Sequence, residues 1–377
     1  MSTKLVSTGV QFPDDTIQTT STTGGSTTFD GMSDTTVSAT DPAIDTNPSA
    51  TGHIWLNKTS GEYYICTTNT TDENVWVNIG EGEDGVAPIP PVWYGDRGVF
   101  AGGYDGAYNA SIDYITISST GNASDFGDLA AGHSNSNGLS SGSRGIFAGG
   151  ATSSSDVTNV IEYIVFATTG NTTDWGDLHT ALQNNPASLS NGSRGIIAGG
   201  YTASAINNIQ YFVLNTTGNA SDFGDLSEAK YGLSGTADST RGLIAGGYSS
   251  SLLNTIEYIT IATTGNTTDF GDLTYSRYHG GGLSDTTRSV FYSGGYNTNN
   301  VIDYVTTAST GNATDFGDST QSISGNRAST ASSTRGVSCN GVNNVIEYIT
   351  IQSTGNATDF GDLTIVRRSG AGAAAGT

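Results

Sequence analysis

Between residues 253 and 273 the chain reads LNTIEYITIATTGNTTDFGDL, with its apolar residues in short runs. Ile256, Tyr258 and Thr260 alternate with Glu257, Ile259 and Ile261, a period of two that predicts a β-strand with both faces partly covered. Ahead of it, RGLIAGGY (241–248) is a second apolar run closed by a glycine pair, and the DFGDL segment predicts a third, short strand. Small residues precede the arginines in GLSS (138–141), SLS (188–190), GLSG (232–235), GGLS (281–284) and STASS (329–333), and predict a fourth.

These marks recur along the chain. The arginines fall at Arg97, Arg144, Arg194, Arg241, Arg288 and Arg335, spaced 47 or 50 residues apart, and copies of TGNATDFGDL begin at Thr120, Thr169, Thr217, Thr264, Thr310 and Thr354. Six copies of one unit, with four strands and about 45 residues each, predict an all-β chain ending in a six-bladed β-propeller. The motif aromatics Phe126, Trp175, Phe223, Phe270, Phe316 and Phe360 are expected to pack between neighbouring blades. The first unit starts at Pro91-Val92-Trp93-Tyr94 without a small-residue strand, so the tail RRSGAGAAAGT (367–377) is expected to supply it and close the ring.

The order Arg-x-x-Gly, an apolar strand ending in Gly-Gly-Tyr, Ile-Glu-Tyr and then an aromatic resembles the kelch repeat over residues 92–377. Ala151 after the second glycine pair, Asn340-Gly341 in place of Gly-Gly, and an aromatic set in DFGD or DWGD depart from the kelch pattern. Propellers host many functions, so the resemblance implies a fold and no partner.

The pattern differs before residue 91. HIWLNK (53–58), EYYICTT (62–68) and VWVNIG (75–80) alternate as three short strands of a small β-module over residues 46–80, and EGEDGVAPIPP (81–91) reads as a linker. Residues 1–45 include the polar tract 22–41, too poor in apolar residues for a core of its own. Gly9-Val-Gln-Phe-Pro-Asp-Asp-Thr-Ile-Gln-Thr-Thr20 is similar to a motif common at the start of bacteriophage tail fibres, with Asp15 where glycine is usual. Asn47-Pro48, Gly52-His-Ile-Trp-Leu-Asn57, Gly61-Glu-Tyr-Tyr-Ile-Cys66 and Trp76 are similar to a β-module found in the same proteins. The resemblance implies a virion subunit, commonly trimeric, that docks on other virion proteins through its first residues, with Val10, Phe12, Pro13 and Ile17 as candidates.

Composition narrows the partners. Fifty-two glycines and two methionines argue against long helices, since glycine costs about 1 kcal/mol against alanine inside one. Thirteen basic residues against 35 acidic ones give a net charge of −22, which disfavours nucleic acid and anionic lipid. The opening MSTKLVSTGVQF has no apolar signal run, so synthesis in the host cytoplasm is expected, with no membrane span. Cys66 and Cys339 suggest neither a disulfide nor a zinc site and are expected to be buried.

Asp359-Phe360-Gly361 has the letters of a kinase metal motif but none of that fold's companions. Paired acids such as Asp269 and Asp272 are a thin ligand set for calcium and suit turn capping. The sequons at Asn122, Asn171, Asn219, Asn266, Asn312 and Asn356 are expected to form Gly-Asn turns. His133, His179 and His279 lack motif-like companions, so no enzyme, cofactor or metal site is expected.

Recognition is then expected where the repeats differ, in the segments after the glycine pairs (104–110, 151–158, 201–207, 248–254, 296–300) and in the aromatic cluster at 274–279. Tyr275, Arg277, Tyr278 and His279, with Tyr104, Tyr201, Tyr248 and Tyr296, are the candidate receptor-binding residues, suited to stacking on a sugar. The expected function is attachment of a virion fibre to a host-surface glycan or protein. The alternatives are a decoration protein of head or tail and a tail-associated glycan hydrolase acting through paired carboxylates.

Overall fold

The computed structural model describes residues 35–79 and 95–374, apart from 155, 296–298, 323–324, 340, 342 and 368–369, and the backbone of three short strands nearer the N-terminus. The chain divides into two compact units, Met1–Ile89 and Pro90–Thr377. The described residues are all-β, without a helix.

In the first unit, Ile54–Asn57, Tyr63–Thr68 and Val75–Asn78 form an antiparallel sheet. A fourth strand, Thr35–Ser38, pairs parallel to Ile54–Asn57 and comes from the tract with too few apolar residues for a core of its own. Tyr64, Cys66 and Trp76 bury one face of this sheet, with Trp55 packed edge-on against Trp76 at 5.8 Å. Asn47 ties its loops: Oδ1 accepts from the Asp72 amide and from Asn74 Nδ2, both at 2.8 Å. Val10 and Ile17 lie in the short antiparallel strands Gly9–Gln11 and Ile17–Gln18, whereas Phe12 and Pro13 fall outside the described residues.

The second unit holds six four-stranded sheets, an arrangement consistent with a β-propeller. In the fourth sheet, taken as representative, the strands run Ser234–Ala237, Arg241–Ala245, Thr255–Thr260 and Thr268–Asp272, each antiparallel to the next. The small-residue stretches form the first strands, as their composition suggests. The first sheet takes its first strand from the other end of the repeat region, where Ala371–Ala374 pairs antiparallel with Arg97–Ala101.

Each sheet carries one stack. The Arg241 guanidinium lies 4.5 Å above the Tyr258 ring, and Tyr258 meets Phe270 edge-on at 6.2 Å. Arg241 then donates to the Thr307 carbonyl of the next sheet at 3.1 Å. The motif aromatics pack where neighbouring sheets meet: Phe126 shares a core with Phe147, Ile164 and Phe166, and Phe360 with Phe100, Ile115 and Ile117 of the first sheet. Burying an aromatic of this size contributes roughly 1.5–3 kcal/mol.

The fourth strands are bulged at the aromatic, a register shift that turns the ring inward and leaves the flanking aspartates outward. The glycine after the aromatic has φ between +144° and +150° in all six copies. A Cβ there would overlap the backbone of the TGN glycine in the next sheet, as at Gly127 against Gly170 and at Gly361 against Gly121. That neighbouring glycine donates its N–H to the aromatic's carbonyl at 2.7–2.9 Å. The sequon asparagine is therefore more than a turn residue, because its Oδ1 accepts the amide of the motif's last aspartate in the preceding sheet at 3.0–3.1 Å.

Two outcomes check this account. Gly271→Ala should lower stability by roughly 1–3 kcal/mol, the usual cost of forced overpacking, read as a shift in the denaturant midpoint. Deletion of residues 367–377 strips the first strand from the first sheet, so the melting temperature should fall sharply; an unchanged melt would defeat the pairing of the two ends.

Candidate functional site

In the second, third and fourth sheets, at the end where the second strand closes with its glycine pair, two segments meet. One leads from the second strand to the third; the other enters the first strand. In the fourth sheet they pair through Tyr231 and Tyr248, whose amides donate to each other's carbonyls at 3.1 and 2.8 Å. The third sheet pairs Gln183 with Tyr201 in the same way, and the second pairs Ser134 with Ala151. Aromatic side chains thus gather at the third, fourth and fifth sheets.

The rings form one patch. Tyr231 lies at its centre, with centroids 5.5 Å from Tyr201, 5.6 Å from Tyr248, 6.5 Å from Tyr278 and 6.2 Å from His279. Tyr248 is 6.0 Å from Tyr278, which in turn lies 4.2 Å from His279. All five residues are half-buried. Gly232 and Gly295 give Tyr278 its seat, since a Cβ on either would run into its ring.

His279 is held in a strained conformation, with φ +58°, at the loop position where the fourth sheet has Gly232 at +71° and the second Asn135 at +54°. Burial pushes its imidazole pKa down to about 4, so the ring is neutral at pH 7.

The sequence-derived candidates divide on this geometry. Tyr201, Tyr248, Tyr278 and His279 come together. Tyr104 pairs with Tyr108 at 5.2 Å in the first sheet, and Tyr296 lies outside the described residues. Tyr275 is exposed, at 45 %, but among the described residues no ring contact links it to the patch. Arg277 is a correction: it is 2 % exposed and ion-paired to Asp303, so it cannot reach a ligand. Its other nitrogens donate to the carbonyls of Tyr275 and Phe291, which holds it inside the sheet. Tyr231 was missed, although it stands five residues after Leu226 as Tyr278 stands five after Leu273. Repeat register was the signal that could have found it.

Arg277 belongs to a second constellation hidden in the repeat. The polar residue of the Ile-acid-Tyr triplet is buried in every sheet and accepts a backbone N–H from the loop entering its first strand. The pairs are Asp113 with Thr364, Glu162 with Ala130, Gln210 with Thr180, Glu257 with Ser227, Asp303 with Thr274 and Glu347 with Thr320. A basic side chain from the same loop meets each acid: Arg367 on Asp113, Lys230 on Glu257, Arg277 on Asp303 and Arg327 on Glu347 as ion pairs, and His133 on Glu162 through a 2.8 Å hydrogen bond at Nε2. In the third sheet, where the triplet carries neutral Gln210, the cation's place is taken by buried Leu182.

Burial alone would raise the Glu257 pKa, but the charge and hydrogen bond of Lys230, with bonds from Ser227 and Thr267, hold it below the ordinary carboxylate value. A carboxylate depressed in the folded state contributes stability above its unfolded-state pKa and loses that contribution as pH falls through the folded one. Acid unfolding should therefore set in only below the ordinary carboxylate range, which a pH series of thermal melts measures. Lys230→Leu leaves Glu257 buried without its cation and should cost about 3–5 kcal/mol. Adding Glu257→Gln reproduces the pair native to the third sheet and should recover most of that loss in chemical denaturation.

No family model matches this chain, and no curated protein matches it either.

Proposed function

We propose that this chain is a virion fibre or appendage subunit whose second unit is a closed, six-bladed, kelch-like propeller that binds a host-surface glycan without catalysis. The aromatic patch of Tyr201, Tyr231, Tyr248, Tyr278 and His279 carries this reading. Tyrosine combines a rigid apolar ring with a polar hydroxyl, which suits it to stacking on the C–H faces of a sugar at little entropic cost. The patch rides on loops held by rigid sheets, the usual place for recognition. Tyr231, Tyr278 and His279 also lie where the repeats diverge.

Ring closure is supported by two contacts between the sixth sheet and the first: Gly121 N–H donates to the Phe360 carbonyl at 2.8 Å, and Arg335 to the Ile117 carbonyl at 2.8 Å. The glycine contact joins the other five neighbouring pairs as well, and the arginine contact four of them. The virion setting is supported by the fibre-like motif at residues 9–20, through which Val10, Phe12, Pro13 and Ile17 would dock a homotrimer on other virion proteins.

Adsorption competition tests the reading. The purified chain should block attachment of its virion to host cells, and Tyr231→Ala should weaken that block by roughly 30-fold, as expected for a central aromatic anchor worth about 2 kcal/mol. Tyr275→Ala should leave it unchanged. If the wild-type chain fails to compete at any concentration, the receptor-binding role is lost.

A further inference from the structure

The aromatic patch also constrains the chemistry of what it binds, through the fate of the positive charges around it. Lys230 immediately precedes Tyr231, and Arg277 immediately precedes Tyr278, yet neither cation faces the ligand side. Lys230 is fully buried with its Nζ 2.8 Å from Glu257, and Arg277 is paired inside the fifth sheet with Asp303.

The accounting extends to every described lysine and arginine of the second unit. Arg327 and Arg367 are buried on Glu347 and Asp113. Arg97, Arg144, Arg194, Arg241, Arg288 and Arg335 start the second strands, at the opposite end of the sheets from the glycine pairs, and lie 4.3–5.0 Å above tyrosine rings. No described lysine or arginine of this unit is left to meet an anion at the patch.

Backbone donors are committed as well. The amides of Tyr201, Tyr231, Gly232, Tyr248 and His279 donate to the carbonyls of Gln183, Tyr248, Asn184, Tyr231 and Gly232 at 2.7–3.1 Å. His279 adds a neutral ring, with burial as the cause of its low pKa.

A carboxylated or phosphorylated sugar entering this surface would lose hydration without gaining a charged partner, in the field of a chain with net charge −22. An uncharged sugar gives up little beyond hydroxyl hydration and gains ring stacking. We infer that the patch selects neutral, hexose-type oligosaccharides and discriminates against acidic ones, an inference that rests on the patch being the glycan site.

The test is calorimetric titration of the 377-residue chain with neutral gluco-, galacto- and manno-oligosaccharides, and with oligogalacturonate and oligosialic acid. At least one neutral series should bind, at least about 10-fold more tightly than either acidic one. Its affinity should change less than about twofold between roughly 50 mM and 500 mM salt, because no ion pair is screened. Tyr231→Ala and Tyr248→Ala, each with an unchanged melting temperature, should both weaken it, the former by roughly 30-fold. Acidic oligosaccharides that bind best, weaken with salt and depend on the same tyrosines would overturn the selectivity while leaving the glycan site standing. Binding by neither class would overturn both.

Discussion

The second unit depends on a close approach of backbone to backbone at the edge of every sheet. A glycine at φ near +147° follows the buried aromatic, and the neighbouring sheet's glycine carbonyl occupies the space a side chain would need. Only hydrogen fits there. Because the approach is that close, the neighbour's N–H reaches the aromatic's carbonyl and its asparagine reaches the next amide. The bulge that admits the glycine also turns the aromatic into the seam between sheets. One short motif thus pairs an otherwise exposed strand edge, fills the seam and spaces the sheets.

A second constraint lies inside each sheet. The triplet acid anchors the loop entering the first strand by accepting its N–H, and as a buried charge it requires a cation. Four sheets provide a lysine or arginine, the second sets His133 against Glu162, and the third avoids the need with Gln210 and Leu182. The loop cations are taken up by this requirement, which is why loops containing Lys230 and Arg277 set no lysine or arginine beside their aromatic rings. Structural chemistry in the repeat sets the chemical character of the patch beside it.

Much of this was legible in the residues. Alternation at 256–261 marked the third strand, small residues marked the first, and the unmatched start at Pro91 pointed to the tail as a partner. Tyr201, Tyr248, Tyr278 and His279 stood out in the sequence as aromatic residues in or beside the segments that follow the glycine pairs, and the structure brings these four together. Arg277 misled for a physical reason. An arginine among tyrosines in a loop has the same local sequence whether it faces solvent or an acid 26 residues away. Thr35–Ser38 was missed because a strand held at the edge of a neighbour's sheet needs few apolar residues of its own.

Period, spacing and residue size are local properties, so the sequence by itself determined the strands, their order within each sheet and the places where the copies differ. Which side chains point together is a property of three dimensions. Only the tertiary structure decided that Tyr231 joins three sheets' aromatics into one surface, and that the charges beside it are spent inside. Those outcomes turn on distances between segments 17 to 47 residues apart, a separation at which the order of residues alone carries no direction.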